Sequence, residues 1–350
     1  MKLLHQAIRF RVNYFSDLGR HQVVVWAPGN TPPVEAQADL GEKIEHTIPL
    51  EVFRHDIAPL KLGRFYPSQL LDAEDPPAPM FRVMKIDAET FTANFSHPLR
   101  DRIFSIDSGK SDVSTEPIGR IDMLLEWSGM ETQMQTPTDF SGPHMFSRED
   151  EAPDSEFYAE PRKLIHVDAV CARRIQALYR TVLPENAHVL DLMAGWRSHL
   201  PDTVKSAVGL GMNADEMGDN PQLNEYIVQD LNRNPTLPFA DATFDGVVCT
   251  VSIEYLTQPQ AVLHEAKRVL KPGGMLVVTM SNRYFPPKVT RLWTQLHPME
   301  RMGWVGMMIK QTGCKKMETY LERGLKRPRD DRYADRLQES DPLFATWGQV

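Results

Sequence analysis

The stretch HVLDLMAGWRSHLP, residues 188–201, decides how this chain is read. Val189, Leu190, Asp191 and Leu192 predict a buried strand, and the chain then turns around Gly195. The segments on either side keep alternating. SAVGLG (206–211), EYIVQD (225–230) and MLVVTM (275–280) have the length and composition of strands. TFDGVVCTVS (243–252) is nearly continuously apolar, as a strand buried on both faces is. VDAVCARRIQALYRTV (167–182) and QAVLHEAKRVL (260–270) carry apolar residues at helical spacing. Pro184 follows the first, and KPGG stops the second. Strands alternating with helices predict an α/β fold: a Rossmann-like, doubly wound, mostly parallel sheet. Ligands of such sheets sit at the carboxyl ends of the strands, near the point where strand order reverses.

At 350 residues the chain is long enough for more than one core. Residues 1–110 read as a small β-rich module. FRVNYF and QVVVWA are strands with a turn between them, and FRVMKID and TFTANF form a hairpin. Residues 111–155 end in the acidic SREDEAPDSE and read as a linker or extension. Residues 156–350 hold the alternating pattern.

The net charge of −8 provides no basic field for nucleic acid or anionic membrane. LERGLKRPRDDRYADR (321–336) mixes its bases with acids and reads as a solvated surface segment. Three distant cysteines, Cys171, Cys249 and Cys314, suit neither a disulfide scaffold nor a zinc site. With no signal-like start and no stretch of about 20 apolar residues, the expected location is the cytoplasm. No metal is expected.

The phrases VLDLMAG, VGLGMNADEM, VQDLNRNPTLPFADATFDGVV, AVLHEAKRVLKPGGMLVV and DPLFATWG resemble class I S-adenosylmethionine-dependent methyltransferases of the UbiE, or methyltransferase-11, kind. FYAEPR before this segment and SNRYFPPK after it resemble a methyltransferase-like subgroup. The resemblance covers residues 156–350 and implies S-adenosyl-L-methionine as cofactor. Asp191 takes the acidic place that opens the family's glycine turn, followed by Met193, Gly195, Trp196 and Arg197. Met193 and Arg197 stand where the family has glycine. The ribose-binding carboxylate position falls on Gly211, with Met212 and Asn213 beside it. Asp230 and Leu231 take the adenine position. Ser252, Tyr158 and Arg162 complete the expected donor contacts.

GLGMNA (209–214) also fits a dinucleotide fingerprint, but Gly218 and Pro221 leave room for barely two helical turns. Glu254, Tyr255, Asn282, Arg283 and His166 are the candidates for the acceptor side of the cleft. Their plain alternatives are a core tyrosine and a satisfied histidine. RLWTQLHPMERMGWVGMMIK (291–310) reads as a lid or, more simply, as core. The acceptor is expected to be a small molecule or a protein, and the sequence specifies neither.

HTIPLEVFRHDIAPLKLGRFYP and FRVMKIDAETFTANFSHPLRDRIFSID resemble FKBP-type prolyl isomerases that carry an insert in the flap. The match covers about residues 45–108 and lacks the catalytic strands, which implies a truncated module without isomerase activity. Two further readings stand beside methyl transfer. One is a methyltransferase fold that has lost its donor site and acts as a scaffold. The other is a chaperone-like protein that holds peptide through its FKBP-like part.

Overall fold

The computed structural model describes residues 7–16, 19–28, 43–78, 80–96, 104–110, 143–296 and 298–350. The N-terminal strands are β1 (Ala7–Ser16), β2 (Gly19–Pro28), β3 (Glu45–Pro49), β4 (Phe65–Pro67), β5 (Met80–Ile86), β6 (Thr90–Asn94) and β7 (Phe104–Lys110). A short helix α1 (Asp154–Phe157) leads into α2 (Ala169–Val182). Then come β8 (His188–Leu192), β9 (Ser206–Gly211), α3 (Ala214–Gly218), β10 (Glu225–Val228) and β11 (Phe244–Thr250). The chain closes with α4 (Pro259–Val269), β12 (Leu270–Met280), α5 (Arg291–Gln295), α6 (Pro298–Gln311), β13 (Lys315–Arg323) and β14 (Leu343–Gln349).

Ten strands form one sheet in the order β10-β9-β8-β11-β12-β14-β13-β2-β1-β7. From β10 to β12 the neighbours are parallel, and β14 runs against both β12 and β13. Strand order reverses at β8: β9 and β10 lie on one side, β11 and β12 on the other. The expected doubly wound sheet is present, with a ligand-accepting crevice predicted between β8 and β11. Leu190, Leu192, Val247 and Leu276 bury one face against α4 and α6, while Val189, Val248 and Val277 bury the other against α2. Tyr179 of α2 bridges the ends of β11 and β12, its hydroxyl 2.7 Å from Thr250 Oγ1 and 3.0 Å from Thr279 Oγ1.

The first 110 residues divide between two sheets. The β1–β2 pair and the β5–β6 hairpin occur where the sequence predicts them. However, β2 pairs in parallel with β13, so β2, β1 and β7 extend the large sheet. Only β3–β6 form a separate, antiparallel sheet, in the order β3-β6-β5-β4. Its core is Phe53, Tyr66, Phe81, Phe91 and Phe95, all buried. Aromatic rings that fill a core do not line an open pocket.

Two local expectations are corrected. Residues 111–142 lie outside the described residues, but 143–155 pack as part of the fold rather than as an extension. Met145 is fully buried, and Asp154 accepts from Arg148 Nη1 at 2.7 Å and Asn232 Nδ2 at 2.8 Å. Lys288, 0% exposed, reaches Asp150 at 3.0 Å and Asp154 at 3.4 Å. The acids of SREDEAPDSE thus have partners far along the chain, which a local charge count does not reveal. Residues 291–310 are core: Leu292, Trp293, Met302, Val305 and Ile309 are all buried.

The second correction lies in the basic stretch 321–336, where Arg327 is buried rather than solvated. It pairs with Asp341, with Asp331 at 3.0 Å and with Asp168 at 3.5 Å. Asp168 also caps α2, accepting from Val170 N at 2.8 Å and Cys171 N at 3.1 Å, and takes the Ser340 hydroxyl at 2.9 Å. One carboxylate therefore ties the start of α2 to the segment before β14. Replacing it removes a helix cap and leaves a buried cation short of a partner. Asp168→Ala is expected to lower stability by about 3–5 kcal/mol in urea unfolding. A loss under about 1 kcal/mol would show that solvent reaches Arg327.

Candidate functional site

A cleft opens at the carboxyl ends of β8, β9, β10 and β11. From the turn after β8 come Asp191, Met193, Gly195 and Trp196. The end of β9 adds Gly211, Met212 and Asn213, and that of β10 adds Asp230 and Leu231. Ser252 and Tyr255 follow β11, and the segment before α2 brings Tyr158, Arg162 and His166 over the top.

Glu254, Asn282 and Arg283 are not part of it. Ser252 and Tyr255 face the cleft from the turn Ile253–Tyr255, while Glu254 between them is buried behind it. After β12 the chain turns away, so Asn282 is exposed and Arg283 stacks over the Tyr333 ring at 4.2 Å. SNRYFPPK does reach the site, through different residues. Phe285 lines the cleft and packs edge-on to His166 at 5.2 Å, and Lys288 holds Asp154.

The turn after β8 is tight. Met193 has φ 58°, in the left-handed region that favours glycine. His199 (φ 55°) and Val251 (φ 47°) line the same cleft, and Lys163 (φ 39°) borders it. Left-handed backbone costs on the order of 1–3 kcal/mol per non-glycine residue, and concentrations of it mark functional sites.

The end of β9 is closely packed against that turn. Ala194 N donates to Leu210 O at 2.9 Å, drawing the turn onto β9. A Cβ on Gly211 would lie 2.2 Å from the Ala194 carbonyl oxygen. The polar atoms of Asn213 are committed within the fold. Its Oδ1 accepts from Glu216 N at 3.0 Å, and its Nδ2 donates to the Tyr158 and Ala159 carbonyls at 3.0 Å each. Glu216 also lines the cleft, and its Oε1 accepts from Arg162 N at 2.6 Å. Asn213 and Glu216 thus strap residues 158–162 across the opening.

Arg162 lies between rings, its guanidinium 4.0 Å from the Phe157 centroid and 5.1 Å from that of Phe285. Its Nη2 donates to Phe157 O at 2.9 Å, whereas Nη1 is buried with no hydrogen-bond partner. Arg197 covers the outer face of Trp196 at 3.7 Å.

Charge is graded through the cleft. Asp154 is neutralised by Arg148 and Lys288. Burial pushes the Asp191 carboxyl up to about 7, against a hydrogen bond from Ser198. Burial, with His166 and Arg197 nearby, pulls the His199 imidazole down to about 4, so it is neutral at pH 7. Behind the cleft, burial pushes Glu254 up to about 8, and neither of its carboxyl oxygens has a hydrogen-bond partner. Asp154, His199, Glu216, Asn232 and Phe285 were not foreseen from the sequence. Asn232, two residues beyond Asp230, was the most legible of them, because a side chain so close to a strand end faces the same crevice.

Two variants test this geometry. Gly211→Ala drives a methyl group into a backbone carbonyl, and a stability loss of about 1–3 kcal/mol is expected. A thermal melt like that of the wild type would show that the turn yields. Glu254 holds its proton in the folded chain up to about 8 but loses it near 4.5 when unfolded. The folded state binds the extra proton between those values, so stability falls as pH rises from 4.5 through 8. Glu254→Gln is expected to match the wild type near pH 4 and to exceed it by on the order of 2–4 kcal/mol above pH 8. A gain independent of pH would exclude titration of Glu254 as its cause.

Residues 198–278, beginning just beyond the turn, match the family model of a methyltransferase domain. The ubiquinone/menaquinone biosynthesis C-methyltransferase UbiE of Roseobacter denitrificans is 55% identical over 69 residues, 19% of this chain and 28% of that protein. A demethylmenaquinone methyltransferase of Lactiplantibacillus plantarum is 32% identical over 132 residues, 34% of this chain and 56% of that protein. Sterol 4-C-methyltransferase strm-1 of Caenorhabditis elegans is 30% identical over 108 residues, 27% of this chain and 31% of that protein. The chain therefore spans between about a quarter and just over half of the length of these relatives. The family match falls on the β9–β12 part of the parallel sheet, so residues 198–278 resemble a methyltransferase domain in sequence and lie in a doubly wound arrangement of strands.

Proposed function

We propose that this chain binds S-adenosyl-L-methionine in the cleft at the β8–β11 switch point and transfers its methyl group to a small-molecule or protein acceptor. The observation that carries the reading is an open, ligand-sized cleft with the buried, cation-free carboxylate of Asp191 at its floor. The residues suit the donor. Gly211 brings bare backbone against the cleft, where a side chain would not fit. Asp191 suits a cation such as the donor's ammonium. Asp230 keeps Oδ2 available for the adenine amine, because the hydrogen bonds from Asn232 N and Arg233 N both fall on Oδ1. The unpartnered Nη1 of Arg162 suits the donor's carboxylate.

When bound, the donor supplies an electrophilic methyl group on a sulfonium. The chain's part is alignment and exclusion of water, which the strap 158–162 and Tyr255 assist. If the acceptor atom carries a proton, the His166 and His199 imidazoles, both of whose pKa values burial lowers, are the bases that line the cleft. UbiE-type relatives are named for quinone methylation, and a related acceptor is one candidate here.

The scaffold reading draws its support from Met193, Arg197 and Gly211. It would require these residues to fill the donor site, whereas they border open space. The FKBP-like resemblance of residues 45–108 rests on its sequence phrases, and we assign that part a docking rather than an isomerase role. Among the described residues no helix is long and apolar enough to cross a membrane.

Calorimetric titration with S-adenosylmethionine tests the reading. Because the donor is cationic and Asp191 ionises near 7, affinity is expected to rise between pH 6 and 8. Asp191→Asn should flatten that rise, and Asp230→Ala should weaken binding by about 1–3 kcal/mol. A flat titration of the folded wild type at both pH values would move the assignment to the scaffold.

A further inference from the structure

We propose that Glu216 supplies the carboxylate for the donor's ribose hydroxyls, in place of the side chain missing at position 211. The inference rests on the donor reading above. It starts from a displacement that the structure makes necessary. The carbonyl of Ala194 occupies the space a Cβ at 211 would need, so no acidic residue fits at the end of β9. Asn213, the next polar residue facing the cleft, has its oxygen committed to Glu216 N and its amide to two carbonyls.

Glu216 lies in the first turn of α3 and lines the same cleft. Its two oxygens have different surroundings. Oε1 takes the Arg162 amide at 2.6 Å, which fixes the side chain's direction. Oε2 lies over Gly195, 3.1 Å from where a Cβ on that residue would be. The glycine at 195 thus leaves room for this oxygen. Among the cleft's other carboxylates, Asp154 is held by Arg148 and Lys288, Asp191 lies at the floor of β8, and Asp230 belongs to the end of β10. Only Glu216 stands beside the end of β9. A carboxylate pre-oriented by one hydrogen bond, with its second oxygen beside the cleft-lining Gly195, suits a vicinal diol.

The test is binding rather than turnover. Wild type and Glu216→Gln are titrated calorimetrically with S-adenosylhomocysteine and with its 2′-deoxy analogue. Wild type should favour the diol by about tenfold, and Glu216→Gln should lose most of that preference while binding the deoxy form nearly unchanged. The Gln amide oxygen still accepts from Arg162 N, so the strap remains. If that variant fails to fold, Glu216→Asp, which draws the charge back by one methylene, should also lose most of the preference. Equal weakening of both ligands would assign Glu216 to the strap alone and overturn the proposal. So would a wild type that binds both ligands equally, although the donor reading would survive. A wild type that binds neither ligand overturns the donor reading and this inference together.

Discussion

The site depends on one close approach, that of the turn after β8 onto the end of β9. The hydrogen bond from Ala194 N to Leu210 O holds the two together, and the Ala194 carbonyl then takes the space beside Gly211. Met193 pays for this geometry in left-handed backbone. With position 211 bare, the polar work passes to the residues that follow. Asn213 caps α3 and ties down Tyr158 and Ala159, and Glu216 holds Arg162. The bare position at 211 and the strap over the cleft are therefore linked through this one close approach.

The N-terminal strands follow from a second constraint, the unpaired edge of a sheet. β13 would be that edge if the sheet ended with the alternating segment. Instead β2 pairs with it in parallel, Glu318 opposite Arg20, and β1 and β7 continue the ladder. Arg20 and Glu318 approach within 3.9 Å, an exposed contact that helps orient the pair more than it stabilises it. The small sheet β3–β6 is carried between β2 and β7. It contacts the larger body through Arg64, whose Nη1 donates to Gln295 O at 3.0 Å, and through Phe65 N, which donates to Glu300 at 3.3 Å.

Local periodicity made much of the larger fold legible. SAVGLG is a strand over its full length, TFDGVVCTVS contains β11, and the two amphipathic repeats became α2 and α4. Those signals lie within a dozen residues of one another, where pattern reading works. What was not legible is non-local. Lys288 neutralises Asp150 and Asp154 from far along the chain, so an acidic run read as a linker is a packed wall of the cleft. Arg327 finds Asp168 and Asp341 in the same way. Of the site residues, those at strand ends were placed in the cleft because strand ends define it. Glu254 was misplaced because neighbouring residues of a tight turn face opposite ways, and Asn282 and Arg283 because the direction of the chain after β12 has no local signature.

The distribution of charge gives the cleft its preference. Asp154 and its two cations form a compensated wall that attracts neither sign strongly. Asp191, deep under the turn, has no cation to balance it, and burial alone raises its carboxyl towards neutrality. A cationic ligand would both recover that ionisation and be held by it, whereas a neutral ligand of the same shape would meet a protonated acid and gain less. Behind this floor, burial likewise raises the carboxyl of Glu254, opposed by its own backbone amide and, less, by the charge of Arg301. It adds no second negative charge that would compete with Asp191 for the cation. The cleft thus presents one conditional negative charge at its base and a neutral imidazole, His199, on its lining. That combination favours a positively charged donor beside an acceptor that needs a proton removed.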